Sequence, residues 1–429
     1  MKRFTCILLF TGIIAGTVVT AQEKEQNFGI KFTGFVKNDF FWDSRQTTCA
    51  REGHFLLWPA PEMLDIHGVD INDKPNFNFL AIQSRLSIAI TGPEAFGAKT
   101  SGLIEGDFFA QSEDNINLLR MRHAFVKFNW TNTELLTGQY WNPLFVTDCF
   151  PGTVSFNTGT PLQSFARNPQ IRLTQSFGPV KLMAAALSQR DYASRGPAPY
   201  DNTTTIGSTS FLRNSAMPDM HLQVHYHTGA GESGVSLVAG AGIAYKVLVP
   251  RLSSTQFMMT HQVKEKVSGL TAIAFTKITT VPITFKLQSR YGENIDDVLS
   301  VSGFAVKNVE DMVTGRRSYT PLQNLTFWGE IHTNGTKVQA GIMGGYLKNL
   351  GTKDPMSDPG NQVYGLATNI SSLYRISPRV IFTSNKTKLA VEIEYTAAAY
   401  GSDYDVNYIP QTVVPVANVR GLMSVIHSF

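Results

Sequence analysis

Apolar and polar side chains alternate along many short stretches of the chain. The clearest of these stretches are residues 80–90, 220–227, 283–291 and 389–395. Successive side chains of a β-strand point to opposite faces, so a period of two predicts strands with one apolar and one polar face. A soluble β-sandwich alternates in the same way, so the succession of such stretches is more informative than any one of them.

The connections between these stretches alternate between short and long. Short connections that contain Gly, Asn or Pro fall at residues 91–97, 129–132, 177–180, 229–234, 279–282, 334–336 and 385–387. Long connections fall at residues 46–75, 111–117, 142–167, 193–216, 250–260, 294–321, 350–363 and 401–412. About seven short turns and about eight long loops predict an all-β fold, a transmembrane antiparallel up-and-down β-barrel of about 16 strands. Its short turns and both termini are expected in the periplasm, and its long loops outside.

Composition favours a membrane barrel over a helical membrane protein or a highly charged soluble one. Charged residues make up 16% of the chain and aromatic residues 11%. Mean hydropathy is −0.07, as expected when lipid-facing and lumen-facing side chains are averaged. No apolar segment after residue 21 is long enough for a spanning helix. The net charge of +4 comes without a basic run, so no nucleic-acid partner is predicted.

The first residues resemble an export signal, and the last residue resembles a signal for assembly in the outer membrane. Lys2 and Arg3 precede an apolar run at residues 7–19 and small residues before Gln22. This order predicts a signal peptide at residues 1–21, with an uncleaved anchor as the alternative, and an exported barrel at residues 22–429. The terminal Phe429 resembles the signal by which the barrel-assembly machinery recognises its clients. We therefore expect this machinery, outer-membrane lipids and lipopolysaccharide as partners.

Seven segments spread over the chain carry a family resemblance. They are GFVKNDFFWDSRQ at 34–46, EGDFF at 105–109, LRMRHA at 119–124, GQYW at 138–141, RNPQIR at 167–172, SPR at 377–379 and EYTA at 394–397. In this order they resemble the DcaP-like outer-membrane porins. The resemblance implies a homotrimer that passes small, often anionic, solutes such as carboxylates.

Charged residues recur on the faces predicted to line the lumen. The candidate pore-lining or constriction residues are Arg85, Glu105, Asp107, Arg120, Arg122, Arg167, Arg172, Arg190, Arg290, Arg375 and Arg379. Arginine stays charged at ordinary pH, so neighbouring arginines need acids beside them, and Glu105 and Asp107 supply these. We expect a charged wall that steers anions and orients dipolar solutes. The alternative is that these charges only tie adjacent strands together.

The fourth predicted strand is less regular than the others. If Arg120 and Arg122 face the lumen, strict alternation also places Ala124, Val126 and Phe128 there. This lumen face is more apolar than expected, and a slip of one residue would exchange the two faces.

The connection at residues 142–167 is the candidate constriction loop, with an ordinary surface loop as the alternative. It follows the fifth strand, is rich in Pro and Gly and has few charges, and Arg167 stands at its base. Cys149 in this loop and Cys49 in the first long loop form a candidate disulfide. Two unpaired thiols are the alternative.

The chain shows no signature of catalysis or of cofactor binding. There is no nucleophile elbow, HExxH motif, P-loop or spaced set of metal-binding cysteines. His123 is the single histidine worth testing for a phospholipase-type Ser–His pair. His221, His225 and His227 share one strand face, but we see no carboxylate or cysteine placed to complete a metal site, so we interpret them as polar lumen residues. We predict no enzyme activity, no cofactor and no metal.

These observations together predict an outer-membrane porin of a Gram-negative bacterium. Small hydrophilic, preferably anionic, solutes are expected to diffuse passively through its lumen. One alternative is a non-conducting structural or adhesive barrel with a blocked lumen. Another is a secreted all-β protein that binds or processes carbohydrate.

Overall fold

The structure, a computed structural model, describes residues 28–199, 201–231 and 234–429. The predicted signal peptide at residues 1–21 lies outside the described residues. Sixteen strands form one closed antiparallel barrel, which confirms the predicted fold class. The strands are β1 (Gly29–Asp43), β2 (Asn76–Leu80 continued by Arg85–Thr91), β3 (Lys99–Asp107), β4 (Arg120–Asn129), β5 (Thr133–Trp141), β6 (Arg167–Phe177), β7 (Val180–Leu187), β8 (Asp219–His227), β9 (Ser236–Leu248), β10 (Val267–Thr279), β11 (Ile283–Glu293), β12 (Arg316–Thr333), β13 (Val338–Thr352), β14 (Ile370–Ser384), β15 (Thr387–Tyr404) and β16 (Pro410–Ser428).

Strand β1 closes the barrel by pairing on both of its sides. On one side Phe35 lies opposite Ser428 of β16, and on the other Gly29 lies opposite Thr91 of β2. Closure leaves no row of unpaired backbone groups at a sheet edge, which a sheet in lipid requires because no water is there to bond them.

The faces of the strands are arranged inside out relative to a soluble protein. On β11, Phe285 and Leu287 are exposed on the outer surface, whereas Lys286 and Arg290 are buried inside the barrel. The same alternation recurs on β15, where Glu392 is buried inside. An apolar outer surface with charged residues within is the arrangement that a barrel in a bilayer needs.

The long loops contain short elements of their own. These are the strands Thr47–Ala50, Phe55–Pro59, Arg195–Pro197, Thr205–Gly207, Ser253–Gln256, Met259–Gln262, Ser302–Asp311 and Val363–Leu366, the short helix Ser210–Arg213, and the 3-10 turns Glu113–Asn115 and Asp296–Val298. Within the described ranges, no helix is long and apolar enough to cross a membrane.

A β-bulge in β4 accounts for the irregular alternation of that strand. Asp107 of β3 pairs with Arg120, but Glu105 pairs with His123, so β4 carries one extra residue between the two pairs. Beyond the bulge, Ala124 pairs with Ile104, whose side chain is 50% exposed on the outer surface. The apolar face that strict alternation assigns to the lumen is therefore the lipid-facing one.

Candidate pore constriction

Residues 142–166 leave the wall after β5 and fold into the barrel. Leu162 and Ser164 in this loop are fully buried. Its Phe156 ring stacks on Phe109 at a centroid distance of 4.2 Å and meets the edge of Phe55 at 5.1 Å. The loop thus lies inside the lumen and forms an apolar cluster there.

The first external loop also folds inward, which the sequence analysis missed. In the hairpin made by Thr47–Ala50 and Phe55–Pro59, the side chains of Leu56 and Trp58 are buried. The run HFLLW at residues 54–58 was the available signal, because so many apolar residues are unusual in a loop that faces water.

Arg375 of β14 holds both inward loops. Its guanidinium donates to the carbonyl of Thr160 at 2.5 Å and to the carbonyl of Leu57 at 2.7 Å, and its Nε lies 3.3 Å from a carboxylate oxygen of Glu394. Arg290 of β11 donates to the hydroxyl of Ser164.

Acidic residues of the same wall bind backbone amides of the loop. Glu392 accepts from the Val154 amide at 2.6 Å, and Glu330 accepts from the amide of Gly152. Arg379 donates to Glu330 at 2.8 Å and so supports this contact. Arg290, Arg375 and Arg379, which were predicted to line the pore or its constriction, are buried beneath the inward loop: Arg290 and Arg375 bond it directly, and Arg379 supports it through Glu330.

Strands β2, β3 and β4 carry the five residues predicted to form a charged wall. Arg120 Nε lies 2.7 Å from Asp107 Oδ1, and Arg122 NH1 lies 2.9 Å from Asp107 Oδ2. Arg122 Nε lies 2.8 Å from Glu105 Oε1, which Arg85 approaches at 3.6 Å. Three guanidinium groups thus share two carboxylates across β2, β3 and β4.

A cavity of about 440 Å³ separates this charged wall from the inward loop. Arg85, Glu105, Arg122, His123, Tyr140 and Trp141 line it on the barrel side, and Phe145, Phe150, Phe156 and Phe165 line it on the loop side. The free space next to the constriction loop is therefore charged on one side and aromatic on the other.

The remaining predicted arginines differ in their placement. Arg167 is buried and bonds Asp191 at 2.7 Å, and Arg172 donates to the Trp141 carbonyl at 2.7 Å. Arg190 is not on the seventh strand: β7 ends at Leu187, and Arg190 is exposed in the loop that follows. That prediction is wrong because the seventh strand was assumed to continue beyond Leu187.

Cys49 and Cys149, the two cysteines among the described residues, are free thiols. The Cys149 thiol is buried and donates to the carbonyl of Thr276 in β10 at 3.3 Å. Cys49 belongs to the hairpin of the first loop, where it pairs with Leu56. Of the two alternatives, the structure has the unpaired thiols and not the candidate disulfide.

Three solved structures of outer-membrane proteins are similar to this chain. The outer membrane channel DcaP of Acinetobacter baumannii has a TM-score of 0.64 and 15% identity, with 96% of this chain and 100% of that chain covered. The anion-selective porin from Comamonas acidovorans has a TM-score of 0.52 and 10% identity, with 94% and 100% covered. The trimer form of OmpT from Vibrio cholerae has a TM-score of 0.52 and 11% identity, with 94% and 99% covered.

These similarities establish the fold of this chain as that of the outer-membrane porins, in agreement with the resemblance seen in the sequence. No protein-family model and no curated protein sequence matches the chain.

Proposed function

We propose that the protein is an outer-membrane porin through which small organic anions diffuse passively. The observation that carries this proposal is the space of about 440 Å³ between the charged wall and the inward loop. A porin needs a constriction with a field across it, and this space is where such a field would act on a solute.

The charges of the wall favour anions. The three guanidinium groups of Arg85, Arg120 and Arg122 share the two carboxylates of Glu105 and Asp107, so these five side chains together carry one net positive charge. Because low-dielectric walls strengthen such a field, the excess attracts anions into the narrow zone. The phenylalanines on the loop side add an apolar surface, which suits a carboxylate with a short apolar or aromatic portion.

Two similar structures support a channel of this type. The Acinetobacter protein is described as an outer membrane channel and the Comamonas protein as an anion-selective porin. In our proposal, the chain is exported by the signal peptide at residues 1–21 and is recognised through Phe429 by the barrel-assembly machinery. It has no catalytic role.

Conductance and reversal potential in planar bilayers test the proposal. The parent protein should conduct and prefer anions, and the double variant Arg120→Ala, Arg122→Ala should lose much of that preference. Arg190→Ala is the matched control, because that arginine is exposed beyond the end of β7. Migration of unheated samples on a gel verifies that each variant is folded. A folded double variant with an unchanged reversal potential would show that the charged wall does not determine ion selectivity.

A non-conducting barrel is the second candidate function. The apolar cluster formed by Phe55, Phe109, Phe156 and Phe165 fills part of the lumen and favours it. A correctly folded protein that gives no current in the same bilayer would establish this candidate over the porin.

We further propose that the protein is a homotrimer, as the OmpT structure is in its trimer form. The segment of residues 63–71 in the first external loop exposes five apolar side chains, and Ile66 is 94% exposed. The segment is nevertheless well ordered: the Ile71 amide donates to the Met63 carbonyl at 2.9 Å. The pKa of Asp70 lies below its usual value, mainly because the Met63 amide donates to its carboxylate, and Arg45 adds an ion pair at 2.9 Å. A rigid apolar projection of this kind suits contact with a second copy of the chain.

A further inference from the structure

Two histidines of β8 meet an aspartate of the inward loop. Asp148, His225 and His227 each offer one ligand atom, and these atoms all lie within 4.8 Å of one another. His227 Nε2 is 3.7 Å from Asp148 Oδ2, and the two imidazole rings are nearly parallel, with centroids 6.0 Å apart. The sequence analysis saw the histidines but not the carboxylate, because the folding of the loop supplies it.

We propose that Asp148, His225 and His227 form a binding site for a divalent transition-metal ion in the lumen. Imidazole nitrogen combined with a carboxylate oxygen is a ligand set suited to Zn²⁺, Cu²⁺ or Ni²⁺, whereas Mg²⁺ and Ca²⁺ prefer oxygen alone. With metal–ligand bonds of about 2.0–2.1 Å, tetrahedral ligand atoms lie roughly 3.3 Å apart. The distance of 3.7 Å between His227 and Asp148 is close to that value.

Both histidines have a nitrogen available for a metal. His227 Nε2 is buried and has no hydrogen-bond partner among the described residues. His225 Nε2 lies 2.9 Å from Gln223 Oε1, and since an amide oxygen only accepts, this contact keeps the proton on Nε2. The lone pair of His225 Nδ1 is then free, and Gln223 fixes the ring as the outer partners of metal-binding histidines do.

The site faces a cavity of about 130 Å³ inside the barrel, so it has room for further ligands. Arg172 and Lys181 also line this cavity. His227 pairs with Val238 of β9, and Val238 pairs with Lys277 of β10, so Lys277 lies on the same face of the sheet. These cations oppose a bare metal ion at long range, but they favour an anion in its open coordination position. The expected complex is thus a metal held by three side chains and capped by a small anion.

Metal titration of the folded protein in detergent tests this proposal without reference to conduction. The full chain is produced without a polyhistidine tag and is stripped with a chelator. Cu²⁺ is then added and followed by electron paramagnetic resonance, and Zn²⁺ is titrated by calorimetry. We expect one ion per chain, nitrogen hyperfine splitting from two imidazoles, and a loss of affinity of at least about tenfold in Asp148→Asn and in His227→Gln.

His332→Gln is the matched control. His332 Nε2 on β12 lies 3.7 Å from Glu330, so this pair resembles the pair of His227 and Asp148 but lies on a different strand. This variant should bind Cu²⁺ as the parent does. The proposal is overturned if the parent binds no metal, or if folded Asp148→Asn and His227→Gln bind as tightly as the parent.

Discussion

At the scale of single residues, arginine has two uses in this barrel, and its neighbours decide between them. Arg122 is buried and bonds two carboxylates, but it borders the cavity of about 440 Å³, so its charge acts on the space that a solute would enter. Arg375 is fully buried and directs its donors to backbone carbonyls of two loops. The planar, always charged guanidinium suits both uses. Substitution of an arginine that borders the cavity, such as Arg122, should alter ion selectivity. Substitution of an arginine that holds the loops, such as Arg375, should alter the stability of the folded barrel.

The thiols of Cys49 and Cys149 are expected to differ in reactivity. A maleimide added to the folded protein in detergent should modify Cys49, which is exposed, and not Cys149, which is fully buried. Cys149 should react only after denaturation, because the thiolate must be reached by the reagent. Peptide mass spectrometry identifies the modified site, and Cys49→Ser should abolish labelling of the folded protein. A disulfide-linked peptide in the untreated sample would contradict the free thiols.

Contacts between adjacent strands could be predicted from the sequence, whereas contacts between a strand and a distant loop could not. Arg85, Glu105 and Arg122 were expected to meet because they lie on three consecutive strands, and antiparallel neighbours share a face. The contacts of Asp148 with His227 and of Arg375 with Thr160 could not be predicted. Each joins a wall strand to a loop whose path through the lumen is set by packing and not by a period in the sequence.

At the scale of elements, the regular parts of the barrel followed from alternation, and the departures came from irregular backbone. The seven predicted short turns each join consecutive strands in the structure. The bulge near Arg122 was not predicted, because the only sequence signal of one extra residue is that the apolar and polar positions exchange faces beyond it. The inward fold of the first loop was missed because its apolar run was read simply as part of a loop.

The inward loops give a prediction at this scale. Arg375→Met should loosen both loops, because it removes the donors to Thr160 and Leu57 and leaves Glu394 without its guanidinium. Removing one partner of a buried ion pair typically costs about 3–5 kcal/mol. We expect a lower unfolding temperature and a larger, noisier single-channel current. Arg213→Met, at the exposed last residue of the short helix Ser210–Arg213, is the control and should change neither. An unchanged current in folded Arg375→Met would mean that the loops do not limit flow.

At the scale of the whole molecule, two kinds of exposed apolar surface have to be distinguished. The outer face of the wall carries residues such as Leu287 and Val391, which the bilayer covers. The segment of residues 63–71 belongs to an external loop, beyond the lipid-facing alternation of the strands, and its apolar side chains need another cover. A second copy of the chain provides one in the proposed homotrimer.

This distinction leads to a prediction about assembly. Ile66→Asp should weaken the trimer, because a buried large apolar side chain contributes about 1.5–3 kcal/mol and a charge would have to be desolvated in its place. The dissociation temperature of the trimer, read from gel migration after graded heating, should fall while the barrel itself stays folded. Met312→Asp is the control, since Met312 is also exposed, at 76%, but lies in a different external loop. If both variants dissociate at the temperature of the parent, residues 63–71 do not form the contact between copies, and the reason for their exposure must be sought in another partner.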